Sequence, residues 1–301
     1  MMMTTNRGLQ PQQKENARHG ETAFPVVRYR TTLHATYQDV PPHWHEEAEL
    51  TLITRGESTY TIQLESDTVR EGDLVFVPPQ LLHAVTTGGG EMDSDTFVFH
   101  MNFLNGSSGD VCTLRYLAPL SAQKLMPPMI IHRDHPVYDR ALVLFREMNQ
   151  TWENKDVGYE LMMKAHLLTF LAMIIPHCTR DTAELALRTE HAEKIKIALE
   201  FMDRNCGEEI AIADVAAACY FSQYHFMRFF KKYMGVSCGE YLKNLRLEKA
   251  AKAFASGSTG ILDVAMESGF RNLSYFYREF QKKYGFTPKQ FIHRCAEMPK
   301  K

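Results

Sequence analysis

Apolar residues in the first third of the chain fall in short runs rather than in long periodic stretches. The runs are rich in β-branched and aromatic residues, and glycine-containing segments separate them. We predict strands at residues 26–29, 49–54, 59–64, 74–77 and 96–103, with turns at residues 55–57, 71–73 and 88–90. Many short strands joined by turns are typical of an antiparallel sandwich or barrel.

The period changes to that of a helix after Pro127 and Pro128. Apolar residues recur at three- and four-residue intervals over residues 137–148 and again over residues 159–175, which predicts two helices. Pro176 ends the second of them, because proline cannot continue a helix. The remaining predicted segments are a linker at residues 178–189 and helices at about residues 190–203 and 240–256.

Residues 212–291 contain the same pattern twice. The segment IADVA at residues 212–216 returns as ILDVA at residues 261–265, and FMRFF at residues 226–230 returns as FYREF at residues 276–280. Each copy is predicted to form a helix, a short turn and a second helix, whose N-terminal caps are Ser222 and Asn272. Two such pairs in succession predict tandem helix-turn-helix units.

The second helix of each unit is predicted to lie in a DNA major groove. Arg228 and Arg278 are expected to contact bases or phosphates, because a guanidinium can bond bidentately to guanine. The other groove-facing candidates are Gln223, Tyr224, Met227, Leu273, Ser274 and Tyr277. Lys231, Lys232 and Lys282 are expected to hold phosphates, which positions a helix without reading the sequence. A solvated helix face without a role in DNA binding is the alternative.

At these residues the sequence resembles the AraC/XylS family of bacterial transcription regulators. The resemblance covers about the last hundred residues and rests on Ser222, RFFK at residues 228–231, Arg246, Gly269, Phe270, Tyr275, Phe276, Arg278 and GFTP at residues 285–288. The sequence departs from the family pattern at Cys238, where proline is frequent, and at Gln281, where lysine is usual.

The resemblance implies that the protein binds double-stranded DNA and is controlled by a small-molecule effector. It also implies RNA polymerase as a partner and a homodimer formed through the two helices predicted at residues 137–175. Packing of these helices on their own domain is the alternative to dimerisation.

Charge is distributed unevenly along the 301 residues, whose formal net charge is −2. From residue 191 onward there are 18 Lys and Arg against 12 Asp and Glu, whereas the preceding residues hold 16 against 24. A basic part joined to an acidic part is typical of a protein that binds nucleic acid through one end.

Four polar residues of the β-rich part are candidate ligand contacts: His43, His45, Glu49 and His83. The first three share strand parity, so on one strand their side chains would face one interior. Three histidines and a carboxylate could bind Fe, Mn, Zn or Ni. The same groups could line a pocket for a small polar ligand such as a sugar, or could only brace the barrel mouth by hydrogen bonds to the backbone.

The spacing of these residues resembles the cupin signature. The first half fits, with HxH followed by Glu49 and then Gly56. The second half departs at Gln80, where glycine is usual, and at Thr87, where asparagine is usual. Because regulators resembling AraC commonly carry a cupin-like sensor without catalysis, we expect a ligand pocket and no cofactor. A divalent metal at the same four residues is the alternative, and a metal-dependent cupin enzyme with a helical appendage is the rival function.

Further features bear on the cellular compartment. The six cysteines are scattered and form no CxxC pair, which indicates reduced thiols. Residues 1–20 are polar, lack the apolar block of a signal peptide and are predicted as a flexible tail. The longest strongly apolar run, residues 167–175, is too short to span a bilayer. We expect a cytoplasmic protein that does not bind membranes.

These expectations combine into a two-domain α+β protein. A cupin-like antiparallel β-barrel with trailing helices, which include the dimerisation segment, is predicted at residues 21–177 and follows the tail. After the linker, residues 190–298 are predicted to form an all-α domain of two tandem helix-turn-helix units. The predicted function is that of a non-enzymatic, sequence-specific DNA-binding transcription regulator controlled by a small polar ligand.

Overall fold

The computed structural model describes residues 19–34, 39–106, 110–180 and 183–297. In these ranges the chain forms two compact units, residues 19–192 and 193–297. The strands are β1 (Val26–Leu33), β2 (Asp39–His43), β3 (Ala48–Ile62), β4 (Glu65–Arg70), β5 (Leu74–Val77), β6 (His83–Thr86), β7 (Met92–Phe99), β8 (Leu125–Met126), β9 (Ile130–Ile131) and β10 (Thr179–Arg180). The α-helices are α1 (Ala118–Ser121), α2 (Tyr138–Asn154), α3 (Tyr159–Ile174), α4 (Ala183–Asn205), α5 (Ile212–Ala218), α6 (Gln223–Met234), α7 (Cys238–Ala255), α8 (Ile261–Glu267), α9 (Leu273–Tyr284) and α10 (Pro288–Glu297).

The first unit is organised around the long strand β3. The first half of β3 pairs with β5 and β7, and its second half pairs with β4 and β6. Strand β1 pairs with β7, β2 with β6, and β9 with β5. Every one of these pairings is antiparallel, which confirms the predicted class of the N-terminal domain, with α2 and α3 as its trailing helices.

The turn predicted at residues 55–57 is wrong, because β3 continues through it. Gly56 has a φ of 80°, and the register between β3 and β7 shifts just before it. A Cβ atom at this position would lie 2.0 Å from the backbone oxygen of Glu91. Glycine therefore allows a bulge that bends one strand from one set of partners to the other.

Both faces of the central strands are buried. One face packs with α2 and α3 in a core that includes Val26, Leu50, Phe76, Phe97, Phe99, Phe145 and Phe170. The opposite face packs in a second core that includes Ile53, Tyr60, Ile62, Val69, Val75 and Val85. Glu49 alternates with Leu50 along β3 and has the parity of Ile53. Its side chain therefore lies on the face of the second core.

Helix α3 and the turn that follows it form an apolar stretch. Tyr159–His177, with 19 residues, is long and apolar enough to cross a membrane by length and composition alone. It is longer than the strongly apolar run at residues 167–175. Met163, Leu167 and Phe170 are buried in the core beside the sheet, as expected for a core helix, although only 28% of the stretch is buried.

The boundaries at both ends of the first unit differ from the prediction. The predicted tail lies outside the described residues except for His19 and Gly20, and His19 is buried. Of the predicted linker, Thr179–Arg180 pairs with β8, and α4 begins at Ala183 instead of at about residue 190. Residues 183–187 are Ala, Glu and Leu, which are strong helix formers, so the helix extends towards the N-terminus.

The second unit contains the two predicted helix-turn-helix units. Helices α5 and α6 form the first, α8 and α9 form the second, and α7 joins them. The aromatic packing repeats, since Phe230 and Tyr241 have ring centroids 5.6 Å apart and Phe280 and Phe291 have centroids 5.4 Å apart. Phe230 and Phe280 are both fully buried. The duplicated sequence therefore builds a duplicated fold.

Candidate DNA interface and ligand pocket

Helices α6 and α9 have the same kinds of residue at their ends. The Ser222 hydroxyl accepts a hydrogen bond from the backbone N–H of His225 at 3.4 Å, and the Asn272 side-chain oxygen accepts one from Tyr275 at 2.8 Å. Gly235 and Gly285 end the two helices in the left-handed conformation, with φ of 72° and 74°. These are the residue types that favour helix starts and stops.

The two helices present corresponding faces to solvent. Phe226 and Phe230 of α6, like their counterparts in α9, are fully buried. Ten of the eleven predicted DNA contacts are exposed: Gln223, Tyr224, Met227, Arg228, Lys231, Lys232, Leu273, Ser274, Arg278 and Lys282. The exception is Tyr277, which is half-buried and packs against the core of the second helix-turn-helix unit. Its ring is consequently less available to a groove than the sequence predicted.

The two predicted base-contacting arginines are both placed beside aromatic rings. The Arg228 guanidinium lies 5.7 Å from the ring centroid of Tyr224, and that of Arg278 lies 5.1 Å from the centroid of Tyr275. Both side chains remain exposed. A cation held over a ring is positioned without losing its capacity to donate hydrogen bonds.

Glu279 lies between two cations in the second helix-turn-helix unit. Its carboxylate accepts a hydrogen bond from Nζ of Lys243 on α7 at 3.1 Å and one from Nε of Arg278 at 3.3 Å. The hydrogen bond from Lys243, supported by that from Arg278, outweighs burial and lowers the pKa of Glu279. Glu279 is therefore ionised at neutral pH, and Arg278 shares a carboxylate with Lys243.

Tyr220 is a surface residue that the sequence pattern did not select. It lies between α5 and α6 with a φ of 59° and is 89% exposed. Gly269 holds the equivalent place between α8 and α9, with a φ of 92°. The correspondence of the two copies contained the signal, since a glycine in one copy marks a left-handed position in the other.

Arg246 stabilises the end of α4 from its place on α7. Its Nε donates to the backbone oxygen of Cys206 at 2.8 Å, and its Nη2 donates to that of Glu208 at 2.6 Å. These carbonyls follow the end of a helix, where backbone oxygens lack helical partners. The side chain thus has a structural role.

The structure brings the four predicted pocket residues together, although not on one strand. His43 ends β2, His45 lies in the following loop, Glu49 is on β3 and His83 begins β6. The prediction that His43, His45 and Glu49 lie on one strand is wrong, because the chain leaves β2 at His43 and re-enters the sheet at Ala48. Pairing between β2 and β6 places His43 opposite His83.

The pocket cluster, which consists of His43, His45, Glu49 and His83, is compact and buried. Ring centroids lie 4.1 Å apart for His43 and His83, 5.1 Å for His45 and His83, and 5.7 Å for His43 and His45. One Glu49 oxygen lies 3.2 Å from Nε2 of His45, and the other lies 3.8 Å from Nε2 of His83. The four residues are between 1% and 8% exposed.

Neighbouring residues hold the loop of His45 in place. Gln80 has a φ of 62°, and its backbone N–H donates to the His45 carbonyl at 2.7 Å. The left-handed φ explains why glycine is usual at this position of the cupin signature. His19, which the sequence did not suggest, adds a ring 5.9 Å from that of His45 and bonds the Tyr29 hydroxyl at 2.9 Å.

Two family models match the chain over these sites. A model described as an AraC-like ligand binding domain matches residues 25–171, and a model described as a helix-turn-helix domain matches residues 211–294. Together they cover most of the chain, including the pocket cluster and every predicted DNA contact. The chain belongs to the AraC family of transcription regulators.

Two of the relatives match most of this AraC-family chain, and a third matches a shorter part of it. The uncharacterized regulator YdeC of Bacillus subtilis is 24% identical over 282 residues, which are 91% of this chain and 94% of YdeC. The melibiose operon regulatory protein of Escherichia coli K12 is 22% identical over 255 residues, which are 83% and 82% of the two chains. The probable transcription factor PqrA of Proteus vulgaris is 37% identical over 85 residues, which are 28% of this chain and 70% of PqrA.

Membership of the AraC family confirms the predicted function in its general form. The protein is a transcription regulator with a C-terminal DNA-binding domain and an N-terminal ligand-binding domain. The sugar suggested as its effector stays a prediction, as do the individual contacts of the helices with DNA.

Proposed function

We propose that α6 and α9 enter successive major grooves of one DNA site. The observation that supports this proposal is the matching display on the two helices, each of which exposes an arginine beside an aromatic ring. Arg228 and Arg278 contact bases, while Lys231, Lys232 and Lys282 hold phosphates. Because phosphate contacts release counterions, affinity falls steeply as salt is raised.

The test of this proposal is a binding titration of the full chain against its operator over a range of salt concentrations. Lys231→Ala should weaken binding to all sequences about equally and reduce the salt slope by roughly one unit. Glu200→Gln on α4, which lies outside helices α6 and α9 in the sequence, is the control substitution. Salt-independent binding would contradict the proposal.

We propose that the pocket cluster is the sensor that couples a small polar molecule to DNA binding. Four polar side chains buried on the inner face of a ligand-binding domain support this role, since buried polar groups fix the orientation of a ligand. The test is a thermal-stability screen of small polar molecules with the wild type and with Glu49→Gln. Molecules that stabilise only the wild type should alter its affinity for DNA, and hits that stabilise both proteins equally would contradict the role of the cluster.

We propose that the protein acts as a homodimer through the outer face of α3. Leu161 and Met162 are exposed on this helix, and Val143 is exposed on α2, although all three are large and apolar. Large apolar side chains exposed on both helices of the pair are what an interface would cover. Leu161→Glu with Met162→Glu should give a monomer in sedimentation velocity. Val157→Glu in the exposed segment between α2 and α3 is the control and should leave the dimer intact.

The other proposed features follow from regulation of transcription. RNA polymerase is a proposed partner, because a regulator acts by changing polymerase activity at a promoter. The proposed place of action is the compartment that holds the chromosome, the cytoplasm in a bacterium. The relatives named above are transcription regulators, and we therefore favour regulation over catalysis.

A further inference from the structure

We propose that Tyr220 is a further DNA contact of the first helix-turn-helix unit, and that its hydroxyl donates a hydrogen bond to a backbone phosphate beside the groove that α6 enters. The inference rests on the proposed placement of α6 in a major groove. Tyr220 lies outside both recognition helices, in the turn between α5 and α6.

Tyr220 adopts a backbone conformation that is unfavourable for its residue type. Its φ is 59°, in the left-handed region, where the Cβ atom of an L-residue crowds the backbone. Its N–H donates to the backbone oxygen of Ala217 at 3.0 Å, and the N–H of Phe221 donates to that of Ala216 at 2.9 Å. Chains commonly leave a helix through such bonds with glycine at the left-handed position. Glycine would therefore make this turn with less strain than tyrosine does.

The Tyr220 side chain makes no contact within the fold that offsets this strain. It is 89% exposed, and within the described ranges it takes part in no hydrogen bond, ion pair or ring contact. Its exposed ring also leaves apolar surface in water. Strained residues of this kind are found where a function uses them. We therefore look for the role of the side chain in a contact with another molecule.

The second helix-turn-helix unit has no side chain at the equivalent position. Gly269 lies there with a φ of 92°. A Cβ atom on Gly269 would lie 2.2 Å from the backbone oxygen of Cys206 and 2.6 Å from Nε of Arg246, so the protein itself closes that position. At Tyr220 the position is open to solvent. The turn of the first unit therefore has room for a contact from outside the chain, whereas the turn of the second unit does not.

The place of Tyr220 in the chain brings it close to the DNA that α6 would contact. It precedes the N-cap residue Ser222 by two positions and the exposed Gln223 by three. Three residues span at most about 10 Å. An α-helix about 10–12 Å across fills a major groove about 12 Å wide, and its N-terminal residues approach the base edges. A residue so near the N-terminal end of α6 lies beside the phosphates that border the groove.

The turn that carries Tyr220 is held in place by Phe221. The Phe221 ring lies 4.8 Å from that of Phe229 on α6 and 4.5 Å from Nζ of Lys194 on α4. The backbone of Tyr220 is thus fixed relative to the recognition helix, while its side chain extends into solvent. A contact made from a fixed backbone requires less ordering when the DNA binds.

A phosphate is the acceptor that suits the tyrosine hydroxyl. Phosphate oxygens only accept hydrogen bonds, and bonds to a charged acceptor are stronger than bonds between neutral groups. Tyrosine is among the side chains that bond phosphates in protein–DNA complexes. Because tyrosine is neutral, its contact neutralises no phosphate and releases no counterion of its own. The contact should therefore differ from that of Lys231 in its dependence on salt.

The first test uses the full chain and a DNA duplex that the wild type selects from a random library. Tyr220→Phe should weaken binding roughly three- to tenfold, the range for one hydrogen bond, and should leave the salt slope unchanged. Tyr220→Gly should weaken binding at least as much, although its midpoint of thermal unfolding should stay the same or rise. Tyr116→Phe removes a partly exposed phenol from the other compact unit and should bind DNA as the wild type does.

The second test locates the contact by replacing single phosphates of the same duplex with neutral methylphosphonates. The wild type should lose affinity at one phosphate that borders the segment read by Arg228, and Tyr220→Phe should lose nothing further there. Equal losses for the wild type and Tyr220→Phe at every phosphate would overturn the inference, because the hydroxyl would then contact none of them.

Arg228→Ala separates the failure of this inference from the failure of the placement of α6. If Arg228→Ala changes base preference while both Tyr220 variants bind DNA as the wild type does, the placement stands and the Tyr220 contact is overturned. The same holds if these Tyr220 variants alter only transcription, which would indicate a protein partner. If Tyr220→Phe weakens binding but Arg228→Ala leaves base preference unchanged, the phosphate contact stands and base reading by α6 fails.

Discussion

The two helix-turn-helix units have the same interior and different outer surfaces. In the first helix-turn-helix unit Phe226 and Phe230 of α6 are fully buried. In the second helix-turn-helix unit Phe276 and Phe280 of α9 are buried to the same degree. Both recognition helices have 12 residues, begin after a polar cap and end at a left-handed glycine. The packing requirements of the unit have thus been kept in both copies.

The outer surfaces differ in how their cations are paired. Helix α6 carries Arg228, Lys231 and Lys232, and within the described residues none of these forms an ion pair with a carboxylate. On α9, Arg278 pairs with Glu279 at 3.3 Å and Lys283 pairs with Glu248 of α7 at 2.6 Å. A cation that is already paired must give up that interaction to contact a phosphate or a base.

This comparison indicates that duplication preserved the fold while the two DNA-facing surfaces diverged. We expect the first helix-turn-helix unit to supply more of the electrostatic part of the DNA affinity, because its cations can contact DNA without breaking an ion pair. The second helix-turn-helix unit should contribute base preference but should add less to the DNA affinity than the first helix-turn-helix unit does.

The largest expected effect is on the shared interior. Phe230→Ala and Phe280→Ala should each lower the free energy of unfolding by about 3–5 kcal/mol, because each removes a fully buried aromatic ring. Denaturant unfolding followed by circular dichroism measures this. Tyr224→Ala, on the exposed face, is the control and should cost roughly 0.5 kcal/mol or less. Costs that differ by more than about 2 kcal/mol between the two phenylalanines would show that the interiors are not equivalent.

The second-largest expected effect distinguishes the turn between α5 and α6 from the turn between α8 and α9. Gly269→Ala should destabilise by about 2 kcal/mol, because its φ is 92° and a Cβ would lie 2.2 Å from the Cys206 backbone oxygen and 2.6 Å from Nε of Arg246. Tyr220→Gly should instead be neutral or stabilising by up to about 1 kcal/mol, since it relieves a left-handed conformation. Thermal unfolding of both variants checks the signs. A stabilising Gly269→Ala change would contradict the account of the turn.

The third effect concerns the two arginines. Arg228→Ala should cost on the order of 1–3 kcal/mol of binding free energy to the operator, the range for an arginine that contacts a guanine. Arg278→Ala should cost less, because the wild-type side chain already shares Glu279 with Lys243. Titration of the operator at fixed salt measures both. A larger loss for Arg278→Ala would reverse the proposed order of the two units.

The smallest expected effect tests the ion pair between Glu279 and Arg278. Glu279→Gln should raise affinity for DNA severalfold, because it releases Arg278 and removes a negative charge beside the groove. The lowered pKa of Glu279 keeps the carboxylate charged until the pH falls below the ordinary range of glutamate, so mild acidification cannot replace the substitution. Glu200→Gln on α4, which removes the partner of Arg204, is the control and should leave affinity unchanged. Unaltered affinity in Glu279→Gln would mean that the ion pair does not restrain Arg278.

Local signals made the DNA-binding domain predictable. Ser222, Asn272, Gly235 and Gly285 mark helix ends through bonds and dihedral angles within a few residues of themselves. Because the pattern occurs twice, each position in one copy can be compared with the equivalent position in the other copy. Tyr220 was missed although its equivalence with Gly269 was visible, because exposure cannot be read from a single residue type.

The features that the sequence did not predict depend on distant parts of the chain. The role of Gly56 depends on its close approach to Glu91 of another segment, and the sharing of Glu279 depends on Lys243 of a neighbouring helix. The four pocket residues lie close together, as the sequence predicted. The pairing of β2 with β6 and the loop after β2 bring them together, whereas the predicted cause was parity along one strand. His19 joins them from a segment that had been predicted as tail.

The central claim is that both recognition helices read DNA. Selection of binding sites from a random DNA library with the full-length wild type, Arg228→Ala and Arg278→Ala tests it most directly. We predict that each variant loses base preference in a different segment, and that the two segments lie about 10 base pairs apart, one turn of the double helix. If Arg278→Ala selects the same sites as the wild type, α9 does not read bases, and if both variants do so, neither helix is placed in a groove as proposed.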